Sequence, residues 1–286
     1  MAVASVTTAL DLWRTHEQDA RALRCGCDTI DELLSGGFRS GLLTEVCGEA
    51  SAGKTQLCLQ LLLQSTLPPQ LGGLGSTACY ICTEGIGSIK RLNDLAGVYA
   101  TRYGTRVATQ RKRKREEDAV SKSNAFLDGI FIEQVYETEG LLELLQSRLP
   151  TLLEEQNTKL VVIDSIAAVF RLEATTSIKE ASRRSRLMFH MANCMRILSA
   201  QYQVVFIVSN QVTGNFSDES TSTTTAHDAH KPALGLSWSN CINQRLMITR
   251  TPHSTRRRIQ VVMSPYLPNA SAYFEITSEG VADVDD

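Results

Sequence analysis

The residues Gly48–Thr55 read GEASAGKT, a glycine-containing stretch that ends in lysine and threonine. It follows a short apolar run and precedes an amphipathic helical pattern, the context that separates a phosphate-binding loop from a chance match. Glycines let backbone N–H groups face phosphate oxygens, and the helix N-terminus adds partial positive charge. Lys54 is therefore predicted to reach the β- and γ-phosphates of a nucleotide, and Thr55 to ligate Mg²⁺.

Three further polar side chains stand at the ends of apolar, strand-like runs. Asp164 ends LVVID, Glu84 follows YICT, and Gln211 follows VVFIVSN. Parallel strands bind ligands at their carboxyl ends, so we expect these side chains at one edge of a sheet. There Asp164 can hold Mg²⁺, Glu84 can activate a water, and Gln211 can hydrogen bond the γ-phosphate. Together they predict binding and hydrolysis of Mg·ATP.

The elements that carry these residues alternate between strand and helix patterns. Near-continuous apolar runs at 42–48, 78–83, 129–135, 159–165 and 204–210 are separated by helical patterns. This alternation predicts an α/β fold, with a mostly parallel twisted sheet that is covered by helices on both faces. The runs RLMITRT, RIQVVMS and AYFEIT follow one another without helices, and they predict mostly antiparallel strands that extend the sheet.

Bulk properties set limits on the function. The chain has 286 residues and a net charge of −2, which fits one α/β domain without overall attraction to nucleic acid. No apolar run is long enough to predict a membrane span. Several of the 8 cysteines lie in apolar runs, as reduced thiols do, and this indicates the nucleus or the cytosol.

Cys79 and Cys82 have the C-x-x-C spacing of some zinc sites. A zinc site needs two more ligands at matching spacing, and the only nearby pair, Cys25 and Cys27, is separated by one residue. We therefore favour a buried strand that carries two thiols.

Six motifs occur in the order that is typical of RecA-type recombinases, which the chain resembles over residues 22–280. They are GCDTIDELLSGGF, GEASAGKTQLCLQLL, YICTEG, LVVIDSIAAVFR, SNQV and SPYLP. Finer features, such as PALGLSWSNCINQRL, resemble the eukaryotic recombinase paralogues of the X-ray repair cross-complementing group. The resemblance implies a RecA-like P-loop ATPase core over 22–286, after an N-terminal linker over 1–21. It also implies a nuclear role in homologous recombination, within heteromers of paralogues.

The resemblance assigns a role to each motif position. Lys54, Glu84 and Gln211 become catalytic residues, and Thr55 and Asp164 become the Mg²⁺ site. It implies that Arg91 stacks on adenine and that Pro265 caps the nucleotide of a neighbouring protomer. An ordinary solvated arginine is the alternative for Arg91. The residues expected to contact ATP in the phosphate-binding loop are Gly48, Glu49, Ala50, Ser51, Ala52, Gly53, Lys54, Thr55 and Gln56.

The N-terminal segment SVTTALDL resembles the linker in which recombinases carry an aromatic–x–x–Ala peptide that docks on the next subunit. Val6 occupies the aromatic position here, and Ala9 is in place. Valine buries less area than phenylalanine, which favours a dedicated partner over a homofilament. The resemblance also implies a small helical DNA-binding domain before this linker, and we expect a shortened chain or a short homologue.

Two loops are expected to face DNA, at about 171–182 and 212–234. Their candidate contacts are Arg171, Arg183, Arg184 and Lys231. In the alternative, the arginines pair with Glu173 and Glu180 on an exposed helix. The second loop is poor in basic and aromatic residues, so we expect it to bind DNA weakly.

An insertion at 105–124 contains the basic run Arg111–Arg115, followed by Glu116, Glu117 and Asp118. It is either a nuclear localisation or nucleic-acid segment, or a solvated insertion that neutralises itself.

Three functions follow from the sequence. The first is an ATP-binding, slowly hydrolysing recombination mediator, a DNA-dependent ATPase of the RecA type. It would act with another paralogue and contact the recombinase filament and single-stranded or branched DNA. The second is a strand-exchange ATPase that forms its own filaments. The third is a scaffold with a structural nucleotide.

The linker interpretation makes a direct prediction. The Val6→Phe substitution is expected to raise self-association or to change partner affinity, because a phenyl ring restores the larger buried area. Light scattering of the purified chain measures this, with Val3→Phe, also within the N-terminal linker over 1–21, as the control. Equal scattering and partner affinity for the wild type and Val6→Phe would contradict the linker interpretation.

Overall fold

The computed structural model describes residues 8–11, 22–110, 124–171, 177–214, 230–253 and 255–284. Val6, the basic run 111–115, residues 172–176 of the first expected DNA-facing loop and residues 215–229 of the second lie outside these residues. No helix within the described ranges combines the length and the apolar character that crossing a membrane requires.

One large mixed sheet organises the chain. Its strands run in the order β12-β11-β10-β9-β3-β7-β6-β4-β5. Strands β9, β3, β7, β6, β4 and β5 pair in parallel, whereas β9 to β12 pair with one another in antiparallel fashion. The predicted fold class is therefore confirmed. The strands are β1 Ala22–Leu23, β2 Phe38–Arg39, β3 Leu43–Gly48, β4 Thr77–Cys82, β5 Ile130–Gln134, β6 Thr158–Asp164, β7 Val205–Gly214, β8 His230–Pro232, β9 Gln244–Arg250, β10 Arg256–Met263, β11 Ser271–Thr277 and β12 Gly280–Ala282.

Two short strand pairs lie beside this path. Strands β1 and β2 form a separate two-stranded sheet, and β8 pairs in antiparallel fashion with the end of β7. The β7–β8 pair closes the base of the second expected DNA-facing loop, because β7 enters that loop and β8 leaves it.

Helices connect the strands. They are α1 Asp28–Leu33, α2 Lys54–Thr66, α3 Ile89–Gln110, α4 Thr138–Glu143, α5 Leu149–Glu155, α6 Ile166–Val169, α7 Ile178–Tyr202 and α8 Gly235–Ser239. A π-helical turn at Leu144–Arg148 joins α4 to α5. Helix α7 begins with a capping box, in which Ser177 Oγ accepts from Glu180 N and Glu180 Oε2 accepts from Ser177 N. This box satisfies two helix-end donors, so α7 begins four residues before the predicted start at Ser182.

The sheet separates two hydrophobic cores. Alternate residues of β6 face opposite sides, so that Leu160 and Val162 pack with α2 and α3, whereas Val161 and Ile163 pack with α4, α5 and α7. A sheet covered on both faces requires apolar residues at consecutive positions, and this explains the near-continuous apolar runs.

The same alternation places Cys79 and Cys82 in different cores, on opposite faces of β4. The two thiols therefore cannot ligate one metal ion, and the C-x-x-C spacing belongs to a buried strand. Burial raises the pKa of the Cys79 thiol to about 12, which keeps it protonated at neutral pH.

The strand order brings four carboxyl ends together. Gly48 at the end of β3 is paired with Gln211 on β7, and Asp164 at the end of β6 is paired with Cys82 at the end of β4. Strand β6 lies between β7 and β4. The predicted site residues of these four strands thus share one edge of the sheet.

Candidate functional site

The loop between β3 and α2 has the conformation of a phosphate-binding turn. Ser51 and Gly53 have positive φ angles of 60° and 111°. A Cβ atom on Gly48 would lie 2.3 Å from the carbonyl oxygen of Ile248 on the neighbouring strand β9, so only glycine fits there. The carboxylate of Glu49 accepts a 3.0 Å hydrogen bond from Arg250 Nε, which ties the loop to β9.

Lys54 lies at the centre of this loop. Its Nζ atom donates to the carbonyl oxygens of Gly48 at 2.9 Å and Glu49 at 2.8 Å. Burial lowers the pKa of the ammonium group, and the nearby carboxylate of Asp164 opposes this shift. A phosphate group in the loop would favour the charged form in the same way, so this position suits an anion.

The carboxylate of Asp164 accepts hydrogen bonds from three hydroxyl groups. Its Oδ2 atom accepts from Thr55 Oγ1 at 2.7 Å and from Tyr80 Oη at 3.1 Å, and its Oδ1 atom accepts from Ser209 Oγ. The hydroxyl and the carboxylate of the expected Mg²⁺ site are thus in contact, and both are oxygen ligands of the kind that Mg²⁺ prefers. The residues present therefore fit the ion.

Tyr80 and Ser209 were not predicted from the sequence. Burial raises the pKa of the Tyr80 hydroxyl, with a further contribution from Asp164, so Tyr80 remains a hydrogen-bond donor. Both residues lie on strands that end at this edge, β4 and β7. Their positions near the ends of apolar runs were the only sequence feature that could have indicated a role in the site. Tyr and Ser also occur in buried strands without such a role, so the residue types alone indicate no site.

Glu84 and Gln211 are in direct contact, as their predicted roles require. Glu84 Oε1 accepts from Gln211 Nε2 at 3.1 Å, from Ser165 Oγ at 3.3 Å and from Arg171 Nη2 at 2.8 Å. Arg171 was predicted to face DNA, and the structure places its guanidinium group on the carboxylate that is expected to activate water. The first residue of the expected DNA-facing loop therefore contacts the nucleotide site.

A cavity of about 470 Å³ opens beside the phosphate-binding loop, within the size range of small-molecule sites. It is lined by Ser51, Gly53, Lys54, Thr55, Gln56, Arg91, Arg257 and Ile276. The last two come from β10 and β11, and sequence patterns did not indicate them because these strands are distant in the chain. Another cavity, of about 350 Å³, is lined by Ser76, Asp128 and Asn157 among others, and it contains none of the predicted site residues.

Arg91 lies where its side chain is held on three sides. It donates to Gln56 Oε1 at 2.9 Å and to the carbonyl oxygens of Thr277 and Ser278, both at 2.8 Å. These bonds lie in the guanidinium plane, which leaves the planar faces for stacking. The cavity position argues against an ordinary solvated arginine.

Pro265 lies away from this cavity. It is exposed and follows β10, whose end pairs with Arg245 at the start of β9, whereas the phosphate-binding loop adjoins Ile248 further along that strand. Pro265 is therefore at the opposite edge of the sheet from the nucleotide site of its own chain. Its contact with a neighbouring protomer's nucleotide stays a prediction.

The remaining candidates lie further from the loop. Arg183 donates to Glu139 at 3.4 Å, and the Arg184 guanidinium group lies 5.6 Å from the centre of the Phe170 ring. The backbone of Lys231 lies in β8, paired with Thr213. Ala9 is exposed within a short helical turn at residues 9–11. Their DNA and partner contacts stay predictions.

The strand order, the phosphate-binding loop between β3 and α2, and the carboxylates beside it define a RecA-like P-loop core. The chain belongs to the Rad51 family, whose model matches residues 17–284.

Relatives agree with this assignment. The chain is 37% identical over 288 residues to the DNA repair protein XRCC3 of Bos taurus, which covers 96% of the chain and 80% of the relative. It is 34% identical over 293 residues to the DNA repair protein XRCC3 of Mus musculus, with the same coverage. The DNA repair protein rhp57 of Schizosaccharomyces pombe is 30% identical, covering 92% of the chain and 79% of the relative. The resemblance to the eukaryotic recombinase paralogues is thereby confirmed.

The Glu84→Gln substitution tests the role of the carboxylate. We expect unchanged Mg·ATP affinity and a turnover that is lower by about 100-fold, because an amide cannot accept the proton of the attacking water. Phosphate release measures turnover. Glu133→Gln is the matched control, because Glu133 also bonds an arginine, Arg148 at 2.7 Å, but lies on β5. Wild-type turnover in Glu84→Gln would remove Glu84 from this role.

Proposed function

We propose that this chain is an ATP- and Mg²⁺-binding DNA repair protein of homologous recombination. It acts in the nucleus as a recombinase paralogue within a heteromeric complex, and it contacts single-stranded or branched DNA and the recombinase filament. Membership of the Rad51 family and the relatives named as DNA repair proteins support this proposal.

One observation carries the nucleotide part of the proposal. At one edge of four neighbouring strands, the structure pairs Thr55 with Asp164 and Gln211 with Glu84 by hydrogen bonds, and Lys54 lies in the adjoining phosphate-binding loop. Thr55 and Asp164 belong to the half of the site that would hold Mg²⁺, and Gln211 and Glu84 belong to the half that would hold the attacking water. Buried strands keep both halves at fixed positions.

The residues of the site divide the work of hydrolysis. Lys54 and the backbone N–H groups of the loop bind the phosphates, and Arg91 offers a planar face to the base. When bound, Mg²⁺ neutralises charge that develops on the phosphate oxygens. Glu84 orients the water and accepts its proton, and Gln211 holds the Glu84 carboxylate in place.

The contact between Arg171 and Glu84 supports regulation of this chemistry by DNA. Arg171 begins the first expected DNA-facing loop, and its side chain and that of Glu84 are both partly exposed, at 56% and 45%. A DNA phosphate that binds Arg171 would withdraw it from Glu84 and leave the carboxylate to the water. Slow turnover without DNA follows from this arrangement.

Measurements of self-assembly, Mg·ATP binding and turnover also distinguish two other functions. A strand-exchange ATPase that forms its own filaments would assemble without a partner, and Val6 argues against it because of its small buried area. A scaffold with a structural nucleotide would bind Mg·ATP and show no turnover.

The Lys54→Ala substitution tests the proposed function. We expect Mg·ATP affinity to fall by about 100-fold or more, because two charge-assisted hydrogen bonds to phosphate are lost, each contributing about 1.5–3 kcal/mol. Equilibrium binding of a fluorescent ATP analogue to the full chain measures this. Lys90→Ala, an exposed lysine on α3, is the control. Unchanged ATP binding in Lys54→Ala would disprove the site assignment.

A further inference from the structure

A buried carboxylate lies on the strand that leads into the phosphate-binding loop. Glu45, in the middle of β3, is completely buried. Its Oε1 atom accepts from Asn210 Nδ2 at 2.7 Å and from Trp238 Nε1 at 2.8 Å, and its Oε2 atom accepts from Arg245 Nε. We call these four residues the Glu45 cluster.

The chemistry of the cluster determines its geometry. An ionised carboxylate only accepts hydrogen bonds, so the amide of Asn210 must present its Nδ2 atom and the indole of Trp238 its N–H group. Burying a charge is costly unless it is paired and hydrogen bonded, and the single cation of the cluster, Arg245, is also nearly buried. Each donor therefore keeps its position with respect to Glu45.

Two of the three donors come from the two ends of the second expected DNA-facing loop. Asn210 directly precedes Gln211 on β7, where the chain enters the loop, and Trp238 lies on α8, where the chain has left it. Arg245 Nη2 also donates to Ser239 Oγ at 3.1 Å, at the end of the same helix. One carboxylate on the P-loop strand thus holds both ends of the loop.

Backbone contacts at the loop base agree with this arrangement. Ala233 N donates to the carbonyl oxygen of Gln211 at 2.8 Å, and Val212 is paired with Pro232. The Oδ1 atom of Asn210 is buried and has no hydrogen-bond partner among the described residues. Asn210 is therefore positioned so that its Nδ2 atom bonds Glu45, although its Oδ1 atom is left without a hydrogen bond.

We propose that Glu45 is a positioning residue that holds both ends of the second DNA-facing loop against the P-loop strand. It sets Gln211 opposite Glu84, and it couples the state of the nucleotide site to the loop. The coupling to DNA rests on the proposed function above, whereas the positioning of the loop ends does not.

The test uses a mild variant of the cluster. Glu45→Ala would leave the Arg245 guanidinium buried without its carboxylate, and it is expected to prevent folding. Trp238→Phe removes only the indole donor and keeps an aromatic ring in the core. The control is Thr44→Val, because Thr44 Oγ1 donates to Gln244 Oε1 at 3.0 Å in an equally buried contact between β3 and β9 that touches neither loop end.

Hydrogen–deuterium exchange of the full chain tests the positioning directly. In Trp238→Phe we expect faster exchange in peptides that cover 207–214 and 230–242, whereas Thr44→Val should leave both at the wild-type rate. The entry peptide is the more informative of the two, because it is distant in the chain from Trp238 and carries Asn210, the other donor to Glu45 Oε1. Wild-type exchange at 207–214 in Trp238→Phe would overturn the proposal.

A binding assay tests the coupling. The affinity for a fluorescein-labelled thymidine oligonucleotide is measured with and without Mg·ATP, and the ratio is the coupling factor. We expect Trp238→Phe to lower this ratio by about fivefold, with unchanged binding of the ATP analogue. An unchanged ratio in Trp238→Phe would overturn the coupling. A wild-type ratio of one would overturn the coupling, while phosphate release with and without the oligonucleotide tests DNA regulation in the proposed function separately and the exchange experiment still decides the positioning.

Discussion

The carboxylate of Asp164 is the interaction on which the site depends. It accepts hydrogen bonds from Thr55 at the start of α2, Tyr80 on β4 and Ser209 on β7, and so joins three elements to its own strand β6. Each hydroxyl that bonds a charged carboxylate contributes more than a neutral pair would. These bonds hold the phosphate-binding loop, β4 and β7 against β6.

The surroundings of the two acidic residues differ, and they suit the different tasks that we propose for them. Asp164 is partly buried among hydroxyl donors, which suits a group that holds an ion. Glu84 is exposed at the edge and bonds Arg171, which begins the first expected DNA-facing loop, and Gln211, which directly precedes the second. An exposed ion pair contributes only about 0–1 kcal/mol, so the Arg171–Glu84 contact can exchange with other partners. The Glu45 cluster is buried, and in our proposal it supplies the permanent contact between the P-loop strand and the second expected DNA-facing loop.

Much of the fold was predictable because β strands that are buried on both faces need continuous apolar sequence, and strands β3, β4, β6 and β7 show it. The exact ends were less predictable. Helix α7 begins at Ile178 because Ser177 and Glu180 cap it, and periodicity alone placed the start at Ser182. Strand β9 is the first of the three C-terminal strands that follow one another without helices, yet it pairs in parallel with β3. Its local sequence does not specify this partner, which depends on the order of strands in the sheet.

The sequence by itself determined the residues with unusual backbone or charge requirements: the loop Gly48–Thr55, and Glu84, Asp164 and Gln211 at strand ends. Local geometry and chemistry restrict which residue types can occupy those positions, so the order of residues along the chain reveals them. Only the tertiary structure decided the contacts between residues that are distant in the chain. This group includes the bonds of Tyr80 and Ser209 to Asp164 and the bond of Arg171 to Glu84. It also includes the position of Arg257 in the cavity and the donors around Glu45. Their residue types are ordinary, and their partners are set by strand order and register, which no local pattern encodes.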